Sequence, residues 1–314
     1  MSDTISHDEL PSRAERARAI AERVETLPLL PGVVMRLLSL DPESEEYFDD
    51  LVDIARSEPS FAVRVLRCAN SAASAPAQPI TSLTQAANRI GAGRCGQLAM
   101  AVAVARVFVP RTPEQRELWA HSLRVASLSR LIAASSGARP EICEAAYTAG
   151  LVHDIGRFAM FERVTEDFDR VAESGWETPQ ALLAVEEELL GYDHTRVGQL
   201  ICERWSLPPS LVEIVRYHHR PAMHAEPPNY RTLNIGTIQL ADSVAIHVER
   251  HPGSLETSSQ ARSLVLDVDV KRAVPGTDTQ MVEFLSEKLP EIEQQVGFTL
   301  SGTLGLAKPP TPPT

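Results

Sequence analysis

The sequence predicts an all-α protein, and three of its features carry that prediction. Apolar residues recur at intervals of three and four along most of the chain up to Pro221, the period of one helix face. No run of useful length in that stretch alternates apolar with polar residues, as a half-exposed strand would. Proline, glycine and small polar residues fall where the helical runs begin and end. Inside this pattern, Leu151-Val152-His153-Asp154-Ile155-Gly156 sets an imidazole beside a carboxylate in an otherwise apolar run. Burying those groups is costly unless each finds a partner. The doublet therefore calls for a metal or a dense hydrogen-bond network.

In chain order, Arg13 to Thr26 alternates charge with Ala, Ile20 and Val24 and reads as a helix. Leu27-Pro28-Leu29-Leu30-Pro31 breaks it, because the residue before a proline avoids the helical region. Pro31 opens a short helix burying Val33, Val34, Leu37 and Leu38, and Asp41-Pro42 turns the chain. Tyr47, Phe48, Leu51, Val52 and Ile54 share one helix face. Ser57-Glu58-Pro59 restarts a helix with Phe61, Val65 and Leu66 inward, ending near Asn70-Ser71. After a small-residue loop, Ala72 to Ile80, Ser82 is an N-cap for a helix through Ile90, and Gly91 suits its stop. Gly93 to Val109 is apolar almost all round and should be a central buried helix. The pair around Gly91-Ala92-Gly93 could suggest a helix-turn-helix DNA reader, but the acidity of the chain and the apolar second helix disfavour it.

Thr112-Pro113 opens a long helix to about Ser136 that carries His121. Gly137 and Pro140 precede a helix running into His153-Asp154. Thr165 to Gly175 is a polar helix, and Thr178-Pro179 starts another through Leu190. Asp193 or Thr195 starts the helix carrying Val197, Leu200, Ile201 and Trp205, and Ser210 to His219 follows. Pro221 to Asn229 is a polar connection, and Leu233 to Val248 is a helix with Asp242 inside it. Leu264 to Val270 alternates and is a candidate short strand. Thr279 to Val296 is an amphipathic helix, interrupted or kinked at Pro290. The expected organisation is a disordered segment over 1–12, helical lobes over 13–109 and 110–250, and an extension with one helix over 251–306. A disordered proline-rich tail spans 307–314.

The 314 residues suffice for two packed units. With 43% hydrophobic and 23% charged residues the composition is that of a soluble globular protein. A net charge of −12 and the lack of a basic stripe argue against nucleic acid as a partner. Cys68, Cys95, Cys143 and Cys202 are far apart, without zinc or redox spacing, and read as buried reduced thiols in a cytoplasmic protein. No apolar run approaches the roughly 20 residues that cross a bilayer, and the polar, acidic N-terminus is no secretory signal.

The chemistry-bearing groups of the second half are His121, His153, Asp154, His194, His218, His219 and Asp242, all on or at the ends of predicted helices. Imidazole and carboxylate ligands on facing helices are how an α bundle holds a metal. The mixture suits iron, manganese or zinc, as one or two ions. Two such ions could activate water and clamp a phosphate ester. Against this stands the plainer reading, in which His153-Asp154 satisfies itself and nearby helix ends by hydrogen bonds. His7, His224, His247 and His251 are taken as ordinary surface or core histidines.

Two resemblances bear on the choice. His121, then His153-Asp154, then Asp242 resembles the pattern of the HD superfamily of metal-dependent phosphohydrolases. That resemblance implies one metal on these four residues, with Asp154 bridging to a second. His194, His218 and His219 then match the extra histidines of the HD-GYP branch, which cleaves cyclic di-GMP. The Gly-Tyr-Pro signature is absent, since Tyr217-His218-His219-Arg220-Pro221 runs straight on. Arg157 stands where the phosphohydrolases commonly have lysine, and the swap is not neutral.

Leu27-Pro28-Leu29-Leu30-Pro31, Glu58 to Ser71 and Ile80-Thr81-Ser82-Leu83 through Ile90-Gly91 resemble the HDOD family, in order and continuing to about Pro221. That family comprises bacterial signalling output modules regarded as non-catalytic, so the resemblance implies a two-lobed helical fold. It also implies a cytoplasmic regulatory role through signalling-protein partners. The alternative is a phosphohydrolase acting on a nucleotide or cyclic nucleotide, with Asp154 and Arg157 as catalytic residues. A third reading is a sensor that binds a metal or nucleotide without cleaving it.

Overall fold

The computed structural model describes residues 13–29, 36, 44, 46–57, 59–70, 76, 78–161, 170–171, 173–176, 179–220, 235–250 and 279–303. The helices are α1 (Arg13–Thr26), α2 (Tyr47–Ser57), α3 (Pro59–Ala69), α4 (Leu83–Ile90), α5 (Ala92–Val107), α6 (Pro113–Ser135) and α7 (Pro140–Val152). There follow α8 (Ile155–Phe161), α9 (Pro179–Leu190), α10 (His194–Arg204), α11 (Pro209–Tyr217), α12 (Ile235–Arg250) and α13 (Thr279–Phe298), which ends in a π-helical turn, Thr299–Thr303. Among the described residues there is no strand, and the fold is all-α. Of the expected helix after Pro31 only Arg36 is described, and it is helical; the 221–229 connection, the 264–270 strand, both chain ends, His7, His224 and His251 lie outside the described residues. Of the helix expected over 165–175, residues 170, 171 and 173 are helical and Gly175 takes a φ of +66°.

Local chemistry sets the boundaries. The Ser82 hydroxyl accepts from the Gln85 N–H, and Gly91, at φ +83°, lets the chain turn from α4 into α5. Thr112 and Gln115 form a reciprocal capping box with Pro113 in the first turn of α6. The Asp193 carboxylate accepts from the Arg196 N–H and opens α10. The Asn70 amide donates to the Leu66 and Ile80 carbonyls and accepts from the Ile80 N–H, each at 2.8 Å. Only a side chain with both a donor and an acceptor can clamp that loop in both directions.

Two cores form. The smaller gathers Leu51, Val52, Phe61, Val65, Ala86 and Leu98. The larger runs from α5 through α13 around Trp119, whose ring edge meets Phe158 at 5.0 Å and whose Nε1–H donates to the Phe108 carbonyl. α5 serves both, with Cys95, Leu98 and Ala99 in the smaller core and Met100, Ala101 and Val104 in the larger. The sequence groups α1 with the first lobe, yet its Ile20 and Val24, with Leu27 just beyond it, join the larger core. Trp205 and Arg204 donate to the Pro28 and Leu27 carbonyls and hold that end of α1 against α10. All four cysteines are buried, and burial pushes the Cys95 and Cys202 thiols up to about 12. Among the described residues no helix is long and apolar enough to cross a membrane.

Close backbone approach at two glycines positions the His-Asp doublet. A Cβ on Gly150 of α7 would stand 2.7 Å from the Ala126 Cα of α6. A Cβ on Gly156 of α8 would stand 1.9 Å from the His194 carbonyl oxygen and 2.7 Å from the Gly198 nitrogen of α10. Gly96, by contrast, has nothing within 4 Å of such a Cβ. Gly156→Ala is therefore expected to lower the urea-unfolding free energy by about 3 kcal/mol or more, or to prevent folding. Gly96→Ala, in the interior of α5, is expected to raise it by about 0.5–1 kcal/mol. Equal effects of the two substitutions would contradict the close-approach account.

Candidate metal centre

Five separate pieces of helix deliver the predicted residues to one place. His121 comes from the middle of α6, and His153-Asp154 stand in the break between α7 and α8. His194 is the first residue of α10, His218-His219 end α11, and Asp242 lies within α12. All seven are buried, at 0–6% exposure. Their ligand atoms fall into two groups, each within 4.8 Å: Asp154, His194, His218 and His219, and His121, His153 and Asp242.

The two carboxylates face both groups. Asp154 Oδ1 lies 3.2 Å from His194 Nε2 and 3.5 Å from His218 Nε2. Its Oδ2 lies 3.7 Å from His153 Nε2 and 4.0 Å from His121 Nε2. Asp242 Oδ1 lies 3.2 Å from His121 Nε2 and 3.9 Å from His153 Nε2, while its Oδ2 lies 3.5 Å from His219 Nδ1. Arg157 donates from Nη1 to Asp154 Oδ2 at 3.0 Å.

The outward ring nitrogens settle the tautomers. His153 Nδ1 is 2.8 Å from the Gly150 carbonyl, and His218 Nδ1 is 2.9 Å from the Val215 carbonyl. A carbonyl only accepts, so Nδ1 carries the proton and the inward Nε2 of the neutral ring is a bare lone pair. His194 is held by Glu186, whose Oε2 accepts from the His194 backbone N–H at 2.9 Å and meets Nδ1 at 2.6 Å. His121 Nδ1 lies 3.1 Å from Glu249 Oε1. Imidazoles backed in this way by carbonyls or carboxylates are what metal-binding histidines require.

The inward atoms test the fit. His153 Nε2, Asp154 Oδ1, His194 Nε2, His218 Nε2 and Asp242 Oδ1 are buried without a hydrogen-bond partner. Each such atom costs about 1–3 kcal/mol when left unpaired. One or two divalent cations would satisfy them together, and nitrogen with carboxylate oxygen suits zinc, iron or manganese. The residues fit the group.

The electrostatics agree. Burial opposes charge on Asp154, yet His153, Arg157 and His194 hold its carboxyl well below the usual range. Burial opposes the imidazolium of His121, but Glu249 and Asp242 prevail and raise its pKa to about 10. That proton stands where a cation at Asp242 would, and metal entry would release it. Burial prevails at His153, which falls to about 4 despite Asp154. His219 is likewise held low, by burial and by His218 and His194. His194 goes up, because Glu186 and Asp154 outweigh burial.

Glu186 and Glu249 are absent from the sequence reading, and both carried a signal. Glu186 falls at four-residue spacing between Leu182 and Leu190, all three buried. Glu249 lies seven residues after Asp242, two turns along the same face of α12.

The HDOD domain model matches residues 27–221, short of Asp242 and Glu249. An HDOD domain protein of unknown function from Geobacter sulfurreducens has a crystal structure similar to this one. It shows a TM-score of 0.69 at 24% identity, over 91% of this chain and 97% of that one. A candidate phosphohydrolase from Shewanella amazonensis gives 0.66 at 22% identity, over 91% and 98%. A candidate signal-transduction protein from Marinobacter aquaeolei gives 0.65 at 21% identity, over 95% and 67%. An uncharacterized protein of Treponema pallidum is 23% identical over 226 residues, and the chain spans 43% of that relative's length.

These shifts give the metal-free protein a definite pH profile. Between pH 6.5 and 4 the unfolded chain takes up a proton at His153 that the fold refuses, so stability falls on acidification. Between pH 6.5 and 10 the fold loses the stabilising imidazolium of His121, so stability also falls on alkalinisation. Urea midpoints measured in chelator from pH 5 to pH 9 are expected to peak near 6.5, with the acid limb flattened in His153→Asn. A level profile would contradict these assignments.

Proposed function

This chain belongs to the HDOD domain family, and on that footing we propose a regulatory protein that acts by binding protein partners. Its buried centre holds a divalent metal and hydrolyses nothing. His121, His153 and Asp242 take one ion, and Asp154, His194, His218 and His219 can take a second. The metal fixes the helices that surround it and so sets the surface that partners read. One observation carries the non-hydrolytic reading: every donor is at most 6% exposed. A phosphate ester must touch the metal or its hydroxide to be cleaved, and burial of the donors to this degree disfavours that contact. Arg157, the cation that would steady a phosphate, already spends its Nη1 on Asp154. The signalling role ascribed to the Marinobacter structure accords with this reading.

A second reading is a metal-dependent phosphohydrolase acting on a nucleotide or cyclic nucleotide, with Asp154 and Arg157 in the catalytic roles. The observation in its favour is that Asp154 and Asp242 each turn one oxygen to either ligand group. Bridging carboxylates of this kind suit a two-ion site.

The two readings separate in one experiment. Protein reconstituted with manganese, iron or zinc is incubated with cyclic dinucleotides, cyclic mononucleotides, nucleoside triphosphates and a chromogenic phosphodiester. Turnover is expected to match that of His153→Ala/Asp154→Ala within error, while affinity capture with and without chelator retains a partner only from the metal-loaded form. Turnover that vanishes in the double variant would overturn the proposal in favour of the hydrolase.

A further inference from the structure

A continuous run of charged side chains joins α13 to the centre, although α13 lies outside the stretch matched by the family model. His121 presents Nε2 to Asp242 at 3.2 Å and Nδ1 to Glu249 at 3.1 Å. Arg124, one turn further along α6, pairs through Nη1 with the same Glu249. Through Nε and Nη2 it grips both oxygens of Glu293 on α13, at 2.5 and 3.0 Å. Arg124 is mostly buried, and a two-pronged grip of this kind is among the stronger and more directional polar contacts.

The apolar side of α13 gives the connection reach. Leu285, Leu289, Ile292 and Val296 recur at spacings of four, three and four and lie in the larger core, against α6. Pro290 lies exposed within the helix, away from that stripe. The following π-helical turn buries Leu300 in the same core while touching α3, which belongs to the smaller core. One element thus touches the helix of His121 at one end and the first lobe at the other.

We infer that α13 is a strap that reports the occupancy of the centre to the seam between the two cores. Glu249 is the residue that positions His121, and the Arg124–Glu293 pair is the joint. The inference rests on the metal reading proposed above. A metal on Nε2 requires the His121 ring to sit at one angle with Nδ1 donating, and Glu249 is the acceptor that fixes it. The guanidinium of Arg124 is a rigid planar fork. It cannot follow a moving Glu249 without loosening its hold on Glu293, so ring and strap move together.

Zinc is a suitable probe, because such donor sets bind it more tightly than manganese or ferrous iron. Amide hydrogen exchange of the full-length chain is followed with and without Zn2+, comparing residues 279–303 with α4. Zn2+ affinity is measured in parallel against a chromophoric chelator. In the wild type, Zn2+ is expected to slow exchange over 279–303 by on the order of tenfold more than over α4. Glu293→Gln, at a half-exposed position, is expected to lower the metal-free melting temperature modestly while leaving the protein folded, to weaken Zn2+ by about tenfold and to abolish the selective protection. Glu249→Gln is expected to weaken Zn2+ by about 10–100-fold. Zn2+ bound by the wild type with no selective protection of 279–303, or a Glu293→Gln variant that behaves as wild type, would overturn the strap and leave the metal reading standing. A wild type that binds no Zn2+ overturns the metal reading and the strap with it.

Discussion

Two buried carboxylates share a small volume with five imidazoles, and the second half of the molecule is arranged around that constraint. Asp154 and Asp242 each face both ligand groups, and burial penalises charge on both of them. Charge of that kind survives in an interior only beside compensating charge and hydrogen bonds. Arg157 supplies one cation, and His121, held protonated by Glu249 and Asp242, supplies another. The inward nitrogen of His153, whose charge burial suppresses, adds a lone pair, and together with Asp154 Oδ1, His218 Nε2 and Asp242 Oδ1 it stands buried without a hydrogen-bond partner.

Packing brings these groups together. α6 and α7 approach at Gly150, and α8 and α10 approach at Gly156 and Gly198. The first contact sets His121 beside His153, whose rings lie 5.4 Å apart. The second sets His194 beside Asp154. The glycine two residues after Asp154 therefore serves the site through the fold: any side chain there would move α10 and its histidine away. The apolar surroundings have the matching effect on the electrostatics, because low polarity strengthens each ion pair and makes each unpaired atom costly.

Much of this was legible in the sequence, because it is written in short-range chemistry. Helical period, Ser82, Thr112-Pro113 and Asp193 placed the helices and their starts, and residue types together with the likeness to the HD pattern nominated the seven inward side chains. What the sequence concealed were relations across the fold. The amphipathic pattern of α1 shows that one face is buried, but not that Ile20 and Val24 belong to the larger core. Glu186 is one of three consecutive glutamates, and only its phase with Leu182 and Leu190 separates it from its exposed neighbours. Glu249 reads as an ordinary helix-end acid until α6 and α13 are in place beside it. Nor does the sequence show that Arg157 bonds Asp154 through Nη1.

The central claim is that the inward lone pairs are metal ligands and not a self-satisfied relic. It is tested most directly by the metal content of protein purified without chelator, measured by elemental analysis beside the His153→Ala/Asp154→Ala double variant. The account predicts at least one zinc, iron or manganese per chain in the wild type and none in the variant. Absence of metal from both, with the variant markedly less stable, would contradict it and make the doublet a structural feature of the core.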